Sequence, residues 1–205
     1  MLVAAGALLC LSPGHAATDT RQPIRVTGSY PQVNFNTGVL SLRDVVLRQG
    51  ESTLIRAGET AAQGVSDSYE NSTWDLKGEV HIEFEGAVLD ADTATVVFAD
   101  SRLKSIVVRG PPARFSHQLK NADHRNLGRA GTIRYDAVAR KVYFADGTWY
   151  SDGRNEASID SAVYDLNDGS LGNDASADGK GRLELTIQPS KRVPPPRTPE
   201  RSSAQ

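Results

Sequence analysis

The side chains that could do chemistry are few and scattered. The chain has four histidines. His15 lies next to an N-terminal apolar run, His81 on the polar side of an alternating stretch, and His117 and His124 in or beside a charged loop. None has a second histidine or a cysteine at the short spacing of a zinc site, so no metal and no cofactor are expected. Ser116 and His117 are adjacent, but neither a nucleophile elbow nor glycines for an oxyanion hole accompany them. Asp90 and Asp92 could serve a hydrolase as acid and base only if the fold set them across a cleft. The pairs Asp146-Gly147, Asp152-Gly153, Asp168-Gly169 and Asp178-Gly179 lack the ligand ladder of a calcium loop. Asp-Gly is a hairpin signal, and turns are what these pairs predict. A non-enzymatic protein is expected, with a hydrolase using Asp90 or Asp92 as the alternative.

The elements that would have to position any site are strands. In WDLKGEVHIEFEGAVLDADTATVVF, Trp74 to Phe98, the residues Val80, Ile82 and Phe84 alternate with Glu79, His81, Glu83 and Glu85, the period of a half-buried strand. Glu85-Gly86 predicts the turn, and the return strand slips its pattern near Asp92, as at a bulge or sheet corner. Similar short return strands follow at Ile55-Arg56-Ala57-Gly58, Leu89-Asp90-Ala91-Asp92, Gly128-Arg129-Ala130-Gly131 and Ile159-Asp160-Ser161-Ala162. Their spacing of roughly 35 residues suits stacked repeats, because a lone hairpin cannot bury its apolar face. A strand from Ser105 is expected to stop at Gly110-Pro111-Pro112, and a loop to run from Lys120 to Arg129. The Asp146-Gly147 turn precedes Trp149 and Tyr150, and Leu183, Leu185 and Ile187 alternate as a last strand. The fold expected is all-β, built of stacked hairpins from about Arg21 to Pro189, with an ordinary sandwich of evenly spaced hairpins as the alternative. Val80, Ile82, Phe84, Leu89, Ala91, Ile133, Tyr135, Val142, Phe144 and Ile159 should point inward.

The N-terminal run Leu2 to Leu11, the break at Ser12-Pro13-Gly14 and the small residues around Ala16 read as a cleaved export signal over residues 1–16. The one cysteine, Cys10, lies inside it, so the exported chain must fold without disulfides. Residues 17–190 suffice for one domain, and 39% hydrophobic content with 18 glycines suits short strands and turns. A net charge of −2 argues against a nucleic-acid partner. Residues 191–205, rich in proline and basic side chains, read as a disordered tail.

Several segments taken in order resemble the OstA-like family of lipopolysaccharide-export proteins. They are WDLKGEVHI (Trp74 to Ile82), VLDADTATVVF (Val88 to Phe98), IVVRGPPARFSHQ (Ile106 to Gln118), GRAGTIRYD (Gly128 to Asp136) and VYFADGTWYSDGRNEASIDSAVYDLNDGSL (Val142 to Leu171). The resemblance implies an open, twisted β-jelly roll in the periplasm that carries lipopolysaccharide, with the lipid A acyl chains in an apolar groove, and takes part in outer-membrane assembly. It implies head-to-tail homo-oligomers joined to an LptC-like inner-membrane partner and an LptD-like outer-membrane partner. By the same resemblance Thr20, Ile24, Phe115 and Tyr135 are expected to contact the lipid. An LptC-type component that keeps its N-terminal segment as an anchor is the alternative within the family, and a periplasmic hydrolase the alternative outside it.

Overall fold

The computed structural model describes residues 22–64, 70–120, 122–173 and 184–187. Among them are thirteen strands and no helix: β1 (Ile24–Asn34), β2 (Val39–Gln49), β3 (Thr53–Gln63), β4 (Ser72–Phe84), β5 (Ala87–Ala99), β6 (Arg102–His117), β7 (Asn126–Asp136), β8 (Lys141–Ala145), β9 (Thr148–Ser151), β10 (Asn155–Ile159), β11 (Ala162–Asp165), β12 (Leu171–Gly172) and β13 (Glu184–Ile187). They make one antiparallel sheet in the order β1 to β7, which then divides into a branch β8-β11-β12 and a branch β9-β10-β13. Among the described residues β1 pairs only with β2, and β12 and β13 each pair on one side only, so the sheet is open. The protein is an all-β, open jelly roll.

Each long strand is creased midway, at the same level as its neighbours. The register breaks between Arg56 and Glu59 in β3, Lys77 and Val80 in β4, Asp90 and Thr93 in β5, and Arg109 and Ala113 in β6. The crease folds the sheet into two facing arms. In β5 the buried positions run Ala87, Leu89, then Ala94, Val96, Phe98, and in β7 Ala130, then Ile133, Tyr135. An extra residue reverses the side-chain parity at the bend, which keeps the apolar set of both arms on the concave side. In β4 the crease is instead made by Gly78-Glu79, with φ of 76° and 49°, and parity is preserved from Leu76 to Val80.

This architecture corrects four expectations. The short return strands are crease segments in the middle of β3, β5 and β7 and at the junction of β10 and β11. Gly110-Pro111-Pro112 does not stop its strand; β6 bends there and continues to His117. The loop ends earlier, because β7 starts at Asn126. Asp146-Gly147, with φ of 66° and 80°, is a bend and not a hairpin: β8 and β9 do not pair with each other but both lie along β7. The Glu85-Gly86 turn is the hairpin expected, with φ of 46° and 83°. Eight of the ten residues expected inward are buried, and Ala91 and Ile159 pack half-buried against the core. The export signal, the tail and Thr20 lie outside the described residues.

The arms approach so closely that one position admits no side chain. A Cβ on Gly128 would lie 2.7 Å from a ring carbon of Phe144 on the opposite arm. Gly128→Ala should therefore destabilise the fold by about 1–3 kcal/mol, the usual cost of overpacking, read from the midpoint of urea unfolding.

Candidate functional site

The concave side carries two apolar rows, one on each arm, assembled by the strand register. On the first arm the row runs Val26, Leu47, Ile55, Ile82, Leu89, Phe115, Gly128, Tyr150, Ala157 and Leu185, each directly across from the next. On the second it runs Val33, Leu40, Ala62, Trp74, Val96, Ile106, Tyr135, Val142, Tyr164 and Leu171. The alternation of each strand supplies one member to its row. Between the rows lies a seam that is buried through its middle and loosens toward both sheet edges. Val33 and Leu185, at opposite edges, are 50% and 53% exposed.

Aromatic rings join the arms across the middle of the seam. Phe84 packs on Tyr135 with centroids 4.3 Å apart, and Phe115 meets Phe144 at 5.4 Å and Tyr164 at 5.2 Å in edge-on geometry, the arrangement ring quadrupoles favour. Beside them sits a buried polar cluster in which Asn126 Nδ2 donates to the Tyr164 hydroxyl at 2.6 Å and His117 Nδ1 lies 2.9 Å from the same oxygen. Burial, and then the Arg140 charge, lower the His117 pKa and keep its imidazole neutral. At the tips of the arms Arg140 bonds Glu85 at 2.8 Å and donates through Nε to Asn167 at 2.8 Å, a polar clasp over the seam.

Phe115 and Tyr135 are thus brought to the same seam on opposite arms. Ile24 lies half-buried on β1, at the open edge, packed against the margin of the same core. The hydroxyl of Tyr135 is buried near the Glu85 carboxylate but does not reach hydrogen-bond geometry with it or with any other group, and burial, followed by the Glu85 charge, pushes its pKa well up. Removing an unpartnered buried hydroxyl relieves a desolvation cost. Tyr135→Phe should therefore leave the melting temperature unchanged or raise it by about 2–4 °C, checked by calorimetry.

The other candidates stay apart. His81 lies on the outer face, with Nδ1 2.6 Å from Asp90 and Nε2 3.1 Å from Glu83. Partial burial works against its charged form, but the bonds to Asp90 and Glu83 outweigh that and raise its pKa. Asp90 is exposed on the face and Asp92 exposed at the crease, not across a cleft from one another. Among the described residues no cluster of three or more metal-ligating side chains occurs.

No protein-family model and no curated protein matches the chain. Among solved structures it is similar to LptH of Pseudomonas aeruginosa, the LptA homologous periplasmic component of a conserved lipopolysaccharide transport device, at a TM-score of 0.52 and 17% identity over 82% of this chain and 96% of that one. The two share a fold.

That likeness extends over nearly the whole length of LptH, and LptH is a component of a transport device. Sequence reading missed the Asn126, His117 and Tyr164 cluster, whose members lie 38 and 47 positions from Tyr164 and carry no local pattern. It also missed Trp74 and Tyr164 as seam residues, although both fall on alternating stretches that could have identified them.

Proposed function

We propose that this protein is a periplasmic lipopolysaccharide carrier of the LptA type, holding lipid A acyl chains between its two arms and standing in a bridge between inner and outer membranes. The observation that carries this reading is the pair of apolar rows that run across the open sheet and end on unpaired edges, in a fold shared with a lipopolysaccharide-transport component. A row that ends half-exposed at an unpaired edge can be continued by another copy or by a partner of the same fold. On this reading the chain stacks head to tail, with an LptC-like domain at one end of the stack and an LptD-like domain at the other. Acyl chains enter where the seam loosens, near Ile24 and Val26, and reach Phe115 and Tyr135 as the aromatic contacts and the clasp part.

The test is binding of fluorescent lipopolysaccharide to the exported protein, followed by analysis of the recovered lipid. A carrier retains the lipid unchanged, and wild type competes away label more strongly than Tyr135→Asp, which puts a carboxylate in the seam. Release of a cleaved product that stops with Asp92→Asn would overturn the carrier in favour of the hydrolase. N-terminal sequencing of the exported protein is expected to start near Ala17; a start upstream of Ala16 would favour the LptC-type component.

A further inference from the structure

On the outer face of the second arm, away from the seam, lies an open cavity of about 760 Å³ whose lining mixes apolar surface with charged and hydroxyl side chains. Its floor is built of small side chains that face outward in register, Ser41, Ala61 and Thr95, with Asp75 among them. Along its crease side the register sets Arg43, Glu59, Lys77, Thr93 and Arg109 in one row on five adjacent strands. Strands about 4.8 Å apart make that row a groove wall rather than a point.

Three donors in this wall are uncommitted. Glu59 is engaged by Arg43 at 3.7 Å, and Asp75 accepts from Thr95 at 2.8 Å. Among the described residues neither Lys77 nor Arg109 has an ion-pair partner, and the hydroxyl of Thr93, which lies between them in register, makes no hydrogen bond. At the far end stands Tyr30, 73% exposed, with the Arg43 guanidinium 5.8 Å from its ring centroid. Tyr30 and Pro31 form a bulge opposite Leu42, between the pairs Ser29–Arg43 and Gln32–Ser41, and Tyr30 has φ of 50°. That conformation is costly for a bulky side chain, and bulges re-aim side chains beside functional sites. Here the bulge spends backbone strain to hold an exposed aromatic ring at the end of a groove of mixed polarity.

We infer that this groove binds an anionic saccharide. The anionic substituent, phosphate or carboxylate, is held by Lys77 and Arg109 with Thr93 donating between them, as charge-assisted hydrogen bonds require. Sugar hydroxyls meet Ser41, Gln32 and the free carboxylate oxygens of Asp75 and Glu59. The apolar C–H face of a pyranose covers the exposed face of Tyr30. Such a glycan can arrive free or as the head of a lipid, and because the groove is on the outer face the inference does not depend on the seam holding acyl chains.

The experiment is nitrogen-edited NMR of the exported protein titrated with the phosphorylated oligosaccharide released from lipopolysaccharide by mild acid, which carries no lipid. Intact lipopolysaccharide, neutral maltotetraose and inorganic phosphate are titrated in parallel. Saturable shifts at Tyr30, Lys77, Thr93 and Arg109 are expected with the phosphorylated oligosaccharide, and affinity should fall at least about tenfold in the Lys77→Gln/Arg109→Gln double variant, from the loss of two charge-assisted contacts. Both substitutions are on the surface, and an unchanged melting temperature shows that the fold survives them. Tyr30→Ala should weaken the oligosaccharide but not inorganic phosphate. If intact lipopolysaccharide alone shifts these signals, and the double variant abolishes the shifts, the glycan is read only when lipid-borne. The inference is overturned if neither glycan perturbs the groove, if maltotetraose binds as well, if inorganic phosphate binds as tightly as the oligosaccharide, or if the double variant binds unchanged.

Discussion

Replacing Phe115 with alanine is expected to lower the melting temperature by roughly 10 °C, following from a loss of about 3–5 kcal/mol for truncating a buried phenylalanine in a domain of this size. The ring is 2% exposed and supplies contacts that nothing nearby can replace. Its neighbours are Phe144 and Tyr164 on the opposite arm, and the residue directly across from it on β7 is Gly128, which has no side chain to move into the space. The cavity would open in the middle of the seam, where relaxation would require the arms to approach further. Circular dichroism melts measure the loss. Titration with labelled lipopolysaccharide well below the melt separates two roles. If Phe115 only packs the arms together, lipid affinity is unchanged or rises, because less aromatic contact has to be broken to part them. If it also touches acyl chains, affinity falls while the protein is still folded.

The strands were legible because their periodicity is local. Val80, Ile82 and Phe84 alternate with charged residues, and all three are buried as that pattern requires. The crease was not legible, and the two acidic-Gly pairs show why. Glu85-Gly86 and Asp146-Gly147 both hold left-handed conformations, and their chemistry announces the same local turn. One closes a hairpin and the other bends a path along β7. The difference lies in what the flanking residues pair with, which is long-range information. Gly110-Pro111-Pro112 misled for the same reason: proline removes ladder donors, but at a crease the ladder is already interrupted and a missing donor costs little. Phe115 and Tyr135 emerged from the family resemblance. That they sit on opposing arms depends on the crease, and so was not visible from spacing. Nothing in the sequence marked Tyr30, because a bulge at an edge strand leaves no periodic trace.

Two single-edge variants, each unable to assemble alone, are expected to pair one to one when mixed. The apolar row of the first arm ends at Val26 on β1 and at Leu185 on β13, and both strands have a side left unpaired among the described residues. Stacking one copy on the next would set Leu185 against Val26 and carry the row on without a break, while backbone pairing satisfies the open edges. Further apolar surface is exposed at Val33 on β1 and at Phe35 in the turn after it. This contact is heterologous and does not close, so wild type should form filaments whose length rises with concentration. A lysine at either row end places a charge in the joint, the device by which natural edge strands avoid pairing. Val26→Lys would block one end and Leu185→Lys the other, and each protein alone should sediment as a monomer. Mixed, the intact β13 edge of the first meets the intact β1 edge of the second, and growth stops at the dimer because both outer ends are blocked. Leu185→Pro should weaken assembly as well, by removing a backbone donor, whereas removal of residues 191–205, whose prolines cannot donate to a ladder, should leave it intact. Sedimentation velocity over a concentration series reads all five proteins. A wild type that stays monomeric up to roughly millimolar, where only very weak contacts are missed, would sink the stacking model. Variants that remain monomeric when mixed would instead point to an isologous interface, in which one damaged patch cannot be rescued by the other.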